Sequence, residues 1–262
     1  MSVFAIIAIS TYFLSVILMM PGLAGKQKIY ARLTLLLAVI ALISHGIALK
    51  ILIFVSVGQN LTLLNLGSIV SLLISIIMTI VAFNGRAWFL LPIVYSLSII
   101  NLLLATIMPS EFITHLGTSI ITFIHIGLAL LGYAILIIAA LYALQLALLD
   151  YQLKNKKLTF TPDMPPLMVI ERKMFHIIQV GVILLTLTLG TGFIFMDNVF
   201  NKENIHKAIL SICAWFIYII LLWGHIQRGW RGRIVIIFNL IGVVILTLAF
   251  FGNRLLQHVT IT

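Results

Sequence analysis

Eight long apolar runs, separated by short polar connections, dominate the chain. Each is long enough for a helix of about 20 residues to cross a bilayer. They occupy residues 3–23, 33–55, 65–83, 88–107, 119–148, 176–196, 207–226 and 233–255. They lack the polar–apolar alternation of barrel strands, and in hydrocarbon only helices and closed barrels satisfy the backbone. The pattern therefore predicts an all-α polytopic membrane protein, a bundle of about eight transmembrane helices in a single domain over residues 1–262.

Composition supports a lipid environment. Charged residues make up 8% of the chain and hydrophobic residues 63%, and the mean hydropathy is +1.25. Soluble domains carry about 25% charged residues, so the expected solvent of this chain is the lipid bilayer. The single Cys213 lies in the seventh run and is interpreted as a small buried apolar residue.

The basic residues predict the orientation. Twelve of the sixteen Lys and Arg residues lie in the odd-numbered connections, including the longest one at 149–175, which is polar and proline-broken. By the positive-inside rule, these connections are cytoplasmic and both termini face outward. The net charge of +10 is then a topology signal, and no nucleic-acid partner is expected. The basic residues follow the first run, which favours a retained anchor over a cleaved signal peptide.

The acidic residues argue against several function classes. All six lie in connections or at the ends of runs, and no nucleophile, phosphate-binding or HExxH motif is present. An enzymatic activity is therefore the less favoured interpretation. A small-solute transporter driven by protons is also disfavoured, because such proteins usually keep a carboxylate within the membrane.

Two histidines lie inside apolar runs, where an ionisable side chain is costly and suggests function. His45 and His125 come at nearly the same predicted depth when each helix rises 1.5 Å per residue. Gly46 follows His45 directly, and Gly127 lies two residues after His125. Neutral imidazole is a common axial ligand of haem iron. We therefore predict that His45 and His125 form a bis-histidine metal site for haem. The alternative is that each simply bonds to a neighbouring carbonyl or serine.

A second group of candidates lies near the cytoplasmic ends of helices six and seven. His176 and His225 could form a separate haem site there, with Arg228 and Arg231 as partners of the haem propionates. The alternative interpretation is that His225 and the arginines form a polar anchor at the membrane interface. His115, His206 and His258 are interpreted as ordinary interfacial residues.

Several motifs carry a family resemblance. They are Gly58–Asn65, Leu91–Tyr95, His125–Gly127 with Gly132–Ala134, Pro165–Leu167 with Glu171–His176, and Ala214–Trp215 with Trp223–His225 and Gly229–Gly232. With these the whole chain resembles the cytochrome c assembly superfamily (the CcsA/ResC/CcmC/HemX-like membrane proteins), and within it the YpjD-type inner-membrane proteins. The resemblance implies that His125 is an outward-side haem ligand and His225 a membrane-embedded one, while His45 matches a histidine of the subgroup.

One segment departs from the family pattern. The tryptophan-rich external haem platform is expected between helices six and seven, but residues 196–204 contain no tryptophan. The resemblance therefore implies an accessory protein of the bacterial inner membrane, with periplasmic termini, that binds or relays haem b and contacts another inner-membrane protein. The alternative is a haem-free structural or regulatory subunit of a membrane transport protein.

Overall fold

The computed structural model describes residues 2–23, 30–55, 58–84, 88–108, 112–114, 120–155, 167–195 and 205–260. Its helices are α1 Val3–Leu23, α2 Ala31–Ile53, α3 Leu63–Phe83, α4 Leu91–Ile107, α5 Ile120–Lys154, α6 Leu167–Phe195, α7 Ile205–Arg228 and α8 Arg233–Thr260. The predicted all-α membrane fold is confirmed. Within the described residues, seven helices are long and apolar enough to cross a membrane, and α4 is a shorter apolar helix of 17 residues.

The helices around the longest connection extend further than the apolar runs predicted. Helix α5 continues to Lys154 and α6 already begins at Leu167, so much of the expected polar connection is helical. Lys154 pairs with Asp150 one turn earlier at 2.6 Å. Charged residues propagate a helix well once it has left the apolar region, because such pairs and their helix propensity support it.

The chain divides into two compact units. Unit 1, residues 1–118, contains α1 to α4, in which α1 packs against α2 and α4, and α3 packs against α2 and α4. It also contains a small antiparallel sheet of strands β1 Phe54–Val55, β2 Gly58–Asn60 and β3 Ile113–Thr114, in the order β1-β2-β3. The sequence pattern did not predict these strands, which are only two or three residues long.

Two polar side chains tie this sheet to the start of α3. The Thr62 hydroxyl caps α3 by accepting from the Asn65 backbone N–H at 3.2 Å. The Asn65 amide donates to the Asn60 carbonyl at 2.8 Å, and the Asn60 side-chain oxygen accepts from the Phe112 N–H at 2.8 Å. The connections before α3 and after α4 are thereby joined to each other.

Unit 2, residues 119–262, contains α5 to α8. Helix α5 packs against α6 and α8, and α7 packs against α6 and α8. Small residues allow these helices to approach closely. A Cβ at Gly242 would lie 2.7 Å from the Tyr218 ring, and one at Gly181 would lie 2.5 Å from a Leu136 methyl group. The Asn239 amide donates to the Ala139 carbonyl of α5 at 3.0 Å.

Cys213 differs from its predicted surroundings. The sequence predicted a buried small residue, whereas the thiol lies on the exposed surface of α7. The apolar run gave no signal for the direction of this side chain, because α7 is apolar on its lipid-facing side as well.

Candidate functional site

His45, on α2, is completely buried in unit 1. Its Nδ1 lies 3.4 Å from the Tyr12 hydroxyl oxygen of α1, and its Nε2 lies 2.9 Å from the Ser68 hydroxyl oxygen of α3. The Tyr12 ring also meets the imidazole edge-on, with centroids 5.9 Å apart. Both ring nitrogens are thus engaged, and His45 links three helices.

A series of buried hydroxyl groups continues from this histidine through unit 1. We name it the hydroxyl seam: Ser68, Ser71, Ser75, Thr79, Tyr95 and Ser98. The Ser75 and Ser98 hydroxyls lie 2.7 Å apart, and Thr79 lies 2.8 Å from the Tyr95 hydroxyl. Each pair joins α3 to α4. This cluster was not predicted, although the spacing of its α3 members by three and four residues places them on one helix face.

His125, on α5, is half-buried in unit 2. Its Nδ1 lies 2.9 Å from the Thr191 hydroxyl oxygen of α6. The adjacent Gly192 has no side chain, and a Cβ there would approach the imidazole Cε1 to 3.2 Å. The ring therefore packs directly against the α6 backbone at Gly192, and one of its nitrogens is held by Thr191.

His225 closes the turn between α7 and α8. Its Nδ1 lies 3.0 Å from the Trp230 carbonyl oxygen, so the ring donates to the turn. The imidazole stacks on Phe175 of α6, with centroids 3.4 Å apart and planes 17° from parallel. Gly229 ends α7 in the left-handed conformation, with φ +64°, and its N–H donates to the His225 carbonyl. The residue is thus embedded in a local helix cap.

The other members of the predicted cytoplasm-side group are more exposed. The α6 ring that stacks on His225 is Phe175, while the neighbouring His176 side chain is exposed. Arg228 lies over the Trp223 ring, 5.0 Å from its centroid, and Arg231 is exposed. Within the described ranges, no three His, Cys, Asp or Glu side chains are grouped so that they could hold a metal ion.

The structure thus places His45 in unit 1 and the other described candidates in unit 2. The sharing of one iron by His45 and His125 stays a prediction. Of the remaining histidines, His206 is exposed on the first turn of α7, and His258 falls within α8. His115 and the segment 196–204, where the platform was expected, lie outside the described residues.

Comparison with known proteins agrees with the sequence motifs. Residues 33–261, which include every histidine discussed above, match the family of cytochrome C assembly proteins. The inner membrane protein YpjD of Escherichia coli strain K12 is 60% identical over 260 residues, covering 98% of this chain and 99% of that protein. An uncharacterized 28.8 kDa protein of Azospirillum brasilense is 30% identical over 139 residues, 52% of this chain and 51% of that protein. No solved structure gives a significant match.

Proposed function

This chain belongs to the cytochrome c assembly protein family, and we propose that it binds haem b through His125 as an accessory protein of the bacterial inner membrane. The observation that carries the proposal is that α6 holds this imidazole at Nδ1, through the Thr191 hydroxyl at 2.9 Å. A histidine whose Nδ1 is held by a neighbouring group presents Nε2 to a metal in the correct tautomer.

The donor set of His125 fits a haem. Neutral imidazole is a common ligand of haem iron, and this one lies half-buried on an apolar helix. A bound haem would supply an iron whose redox potential its ligands and their hydrogen bonds would tune. The part played by the chain itself is to orient the imidazole, through Thr191, and to exclude water.

His45 fits a ligand role less directly. Both of its nitrogens already have partners, Tyr12 at 3.4 Å and Ser68 at 2.9 Å. Ligation through Nε2 requires the Ser68 hydrogen bond to break, which leaves a buried hydroxyl without this partner. Ligation of haem by His45 stays a prediction, and it would require this hydrogen bond to be lost.

The His225 group fits an anchor better than a second haem site. The Nδ1 of His225 donates to the Trp230 carbonyl, and one face of the ring is covered by Phe175. Arg228 and Arg231 lie in the same turn, where basic residues are favoured at a cytoplasmic membrane surface. In this proposal the arginines orient the protein, and propionate binding by them remains the alternative.

The test is the Soret absorption of the protein purified from haem-supplied cells, for the wild type and three histidine variants. We expect a low-spin haem spectrum that is lost in His125→Ala and is lost or converted to high spin in His45→Ala. His206→Ala is the matched control, since this histidine is exposed at the start of α7. A wild-type spectrum in His125→Ala would refute the proposal, and one in His45→Ala would remove His45 from it.

The saturated hydrogen bonds of His45 favour a second candidate function, a haem-free structural or regulatory subunit of a membrane transport protein. In that case a folded wild-type protein should give no Soret band after haem supplementation. His45→Ala should then lower the free energy of unfolding strongly, while His125→Ala should lower it by only about 1 kcal/mol.

The proposed orientation has a separate test. Both termini are proposed to be periplasmic and the connection between α5 and α6 cytoplasmic, from the twelve-to-four division of basic residues. An alkaline phosphatase fused after Thr262 should be active in cells, and a fusion within residues 154–160 should be inactive. The reverse pattern would place every candidate histidine on the other side.

A further inference from the structure

The Thr191 hydroxyl has more acceptors around it than it has hydrogens. Its oxygen lies 2.9 Å from the Leu187 carbonyl oxygen, 3.0 Å from the Thr188 carbonyl oxygen and 2.9 Å from His125 Nδ1. A hydroxyl donates one hydrogen and accepts through two lone pairs, and a carbonyl can only accept. When the hydrogen goes to the helix carbonyls, the oxygen is left to accept from the imidazole.

This arrangement fixes the tautomer of His125, because an oxygen that accepts from Nδ1 requires the hydrogen to be on that nitrogen. An imidazole that carries its hydrogen on Nδ1 has its lone pair on Nε2.

We propose that Thr191 is the positioning residue of His125: its hydroxyl accepts from Nδ1–H and so leaves the Nε2 lone pair directed away from α6, for a metal ligand bond. This inference rests on the proposed function, because Nε2 acquires its role from haem. The tautomer itself is a property of the haem-free protein, and it can be measured whether or not haem binds.

Gly192 supplies the space that this arrangement needs. A Cβ at this position would lie 3.2 Å from the imidazole Cε1 and 3.9 Å from Nδ1. The shorter distance is tighter than nearly all real Cβ contacts, so Gly192→Ala should push the ring away from Thr191. The threonine supplies the acceptor, and the glycine lets the ring reach it.

A purely structural interpretation of Thr191 competes with this one. Interhelical hydrogen bonds from threonine commonly hold transmembrane helices together, and removing one would lower stability without changing any tautomer. The variants Thr191→Val, which keeps the shape, and Thr191→Ser, which keeps the hydroxyl, separate the two roles. Thr106→Val is the matched control, because the Thr106 hydroxyl also bonds back to two carbonyls of its own helix, both at 2.9 Å.

The first measurement is nitrogen NMR of the haem-free protein labelled with ¹⁵N-histidine, with the His125 signals assigned by their loss in His125→Ala. In the wild type, Thr191→Ser and Thr106→Val we expect a protonated Nδ1 and an unprotonated Nε2. Thr191→Val should shift the population toward protonated Nε2. Protonated Nε2 in the wild type, which needs no variant to fold, would overturn the proposal, as would an unchanged spectrum in Thr191→Val.

The second measurement is haem affinity, from titration of each purified variant with ferric haem. Loss of a partner that orients a metal ligand typically weakens binding by about 10-fold or more. We expect about a 10-fold loss in Thr191→Val and near wild-type affinity in Thr191→Ser. Equal affinity for wild type and Thr191→Val overturns the positioning role. A wild type that takes up no haem refutes the proposed function instead, while the tautomer measurement still decides the role of Thr191.

Discussion

The two units bury their intramembrane histidines in different ways. In unit 1, His45 is completely buried and both of its nitrogens have side-chain partners on adjacent helices. In unit 2, His125 is half-buried and held against α6 by a threonine at Nδ1. Both histidines lie in equally apolar segments. They differ in how many ring nitrogens their neighbours engage, and therefore in how readily each could bind a ligand.

The helices of both units are held together by hydrogen bonds, but the bonds differ in arrangement. Unit 1 joins α3 to α4 through the hydroxyl seam, with contacts of 2.7 and 2.8 Å. Unit 2 combines separate interhelical bonds, such as Asn239 to the Ala139 carbonyl, with close packing at glycines, such as Gly242 against Tyr218. Since apolar side chains gain little from leaving lipid for a protein interior, both hydrogen bonds and close packing can drive helix association in membranes. A histidine that completes a hydrogen-bonded seam is therefore structural even without a ligand.

The largest effect should come from His45→Ala. The substitution leaves the Tyr12 and Ser68 hydroxyls buried without this partner and opens a cavity, so we expect the free energy of unfolding to fall by about 2–4 kcal/mol. His125→Ala should cost about 1 kcal/mol, because a half-buried ring with one hydroxyl contact is removed. Reversible unfolding in mixed detergent micelles measures both. Equal losses of unfolding free energy would show that the two histidines do not differ in their structural role.

Gly242→Ala should be the next largest. The added Cβ would lie 2.7 Å from the Tyr218 ring, whose side chain is fully buried and leaves little room to move. Overpacking of this kind costs about 1–3 kcal/mol. The matched control is Gly190→Ala, where a Cβ meets nothing within 4 Å. If both alanines were tolerated equally, close packing would not be what holds α7 against α8.

A smaller loss is expected for His225→Ala. The ring stacks on Phe175 and donates to the Trp230 carbonyl, so its removal should lower the unfolding free energy by about 1–2 kcal/mol through the lost hydrogen bond and packing. Haem per protein should not change if the residue is an anchor. A drop in haem content with the remaining spectrum intact would instead support a second haem site.

The sequence predicted the membrane helices well, because a long apolar run has few alternatives in hydrocarbon. Their ends were predicted less well. Asp150, Lys154 and Glu171 were placed in a loop but lie in helices. Hydropathy indicates which residues lie in the bilayer, and a helix can continue beyond the bilayer. The short sheet next to α3 was not predicted, because strands of two or three residues have no periodicity to detect.

The candidate histidines could be chosen from the sequence, but their chemistry could not. His45 and His125 both stood out as ionisable residues in apolar runs, and the motif at His125 indicated the family. The partners Ser68 and Thr191 are 23 and 66 residues away in sequence. Which nitrogen of each ring is engaged depends on helix packing, and no local pattern encodes that.

The smallest predicted effect tests the hydroxyl seam at its middle. Ser75→Ala removes one partner from the 2.7 Å contact with Ser98, while Ser98 keeps its contact with the Ser71 carbonyl at 3.1 Å. Hydrogen bonds between transmembrane helices average about 0.6 kcal/mol in double-mutant cycles, so the coupling of Ser75→Ala with Ser98→Ala should be of that size. Ser10→Ala is the control, because that hydroxyl is exposed and bonds only within its own helix. A coupling near zero would mean that this contact does not hold α3 against α4, and that the polar stabilisation of unit 1 comes from His45 and its partners.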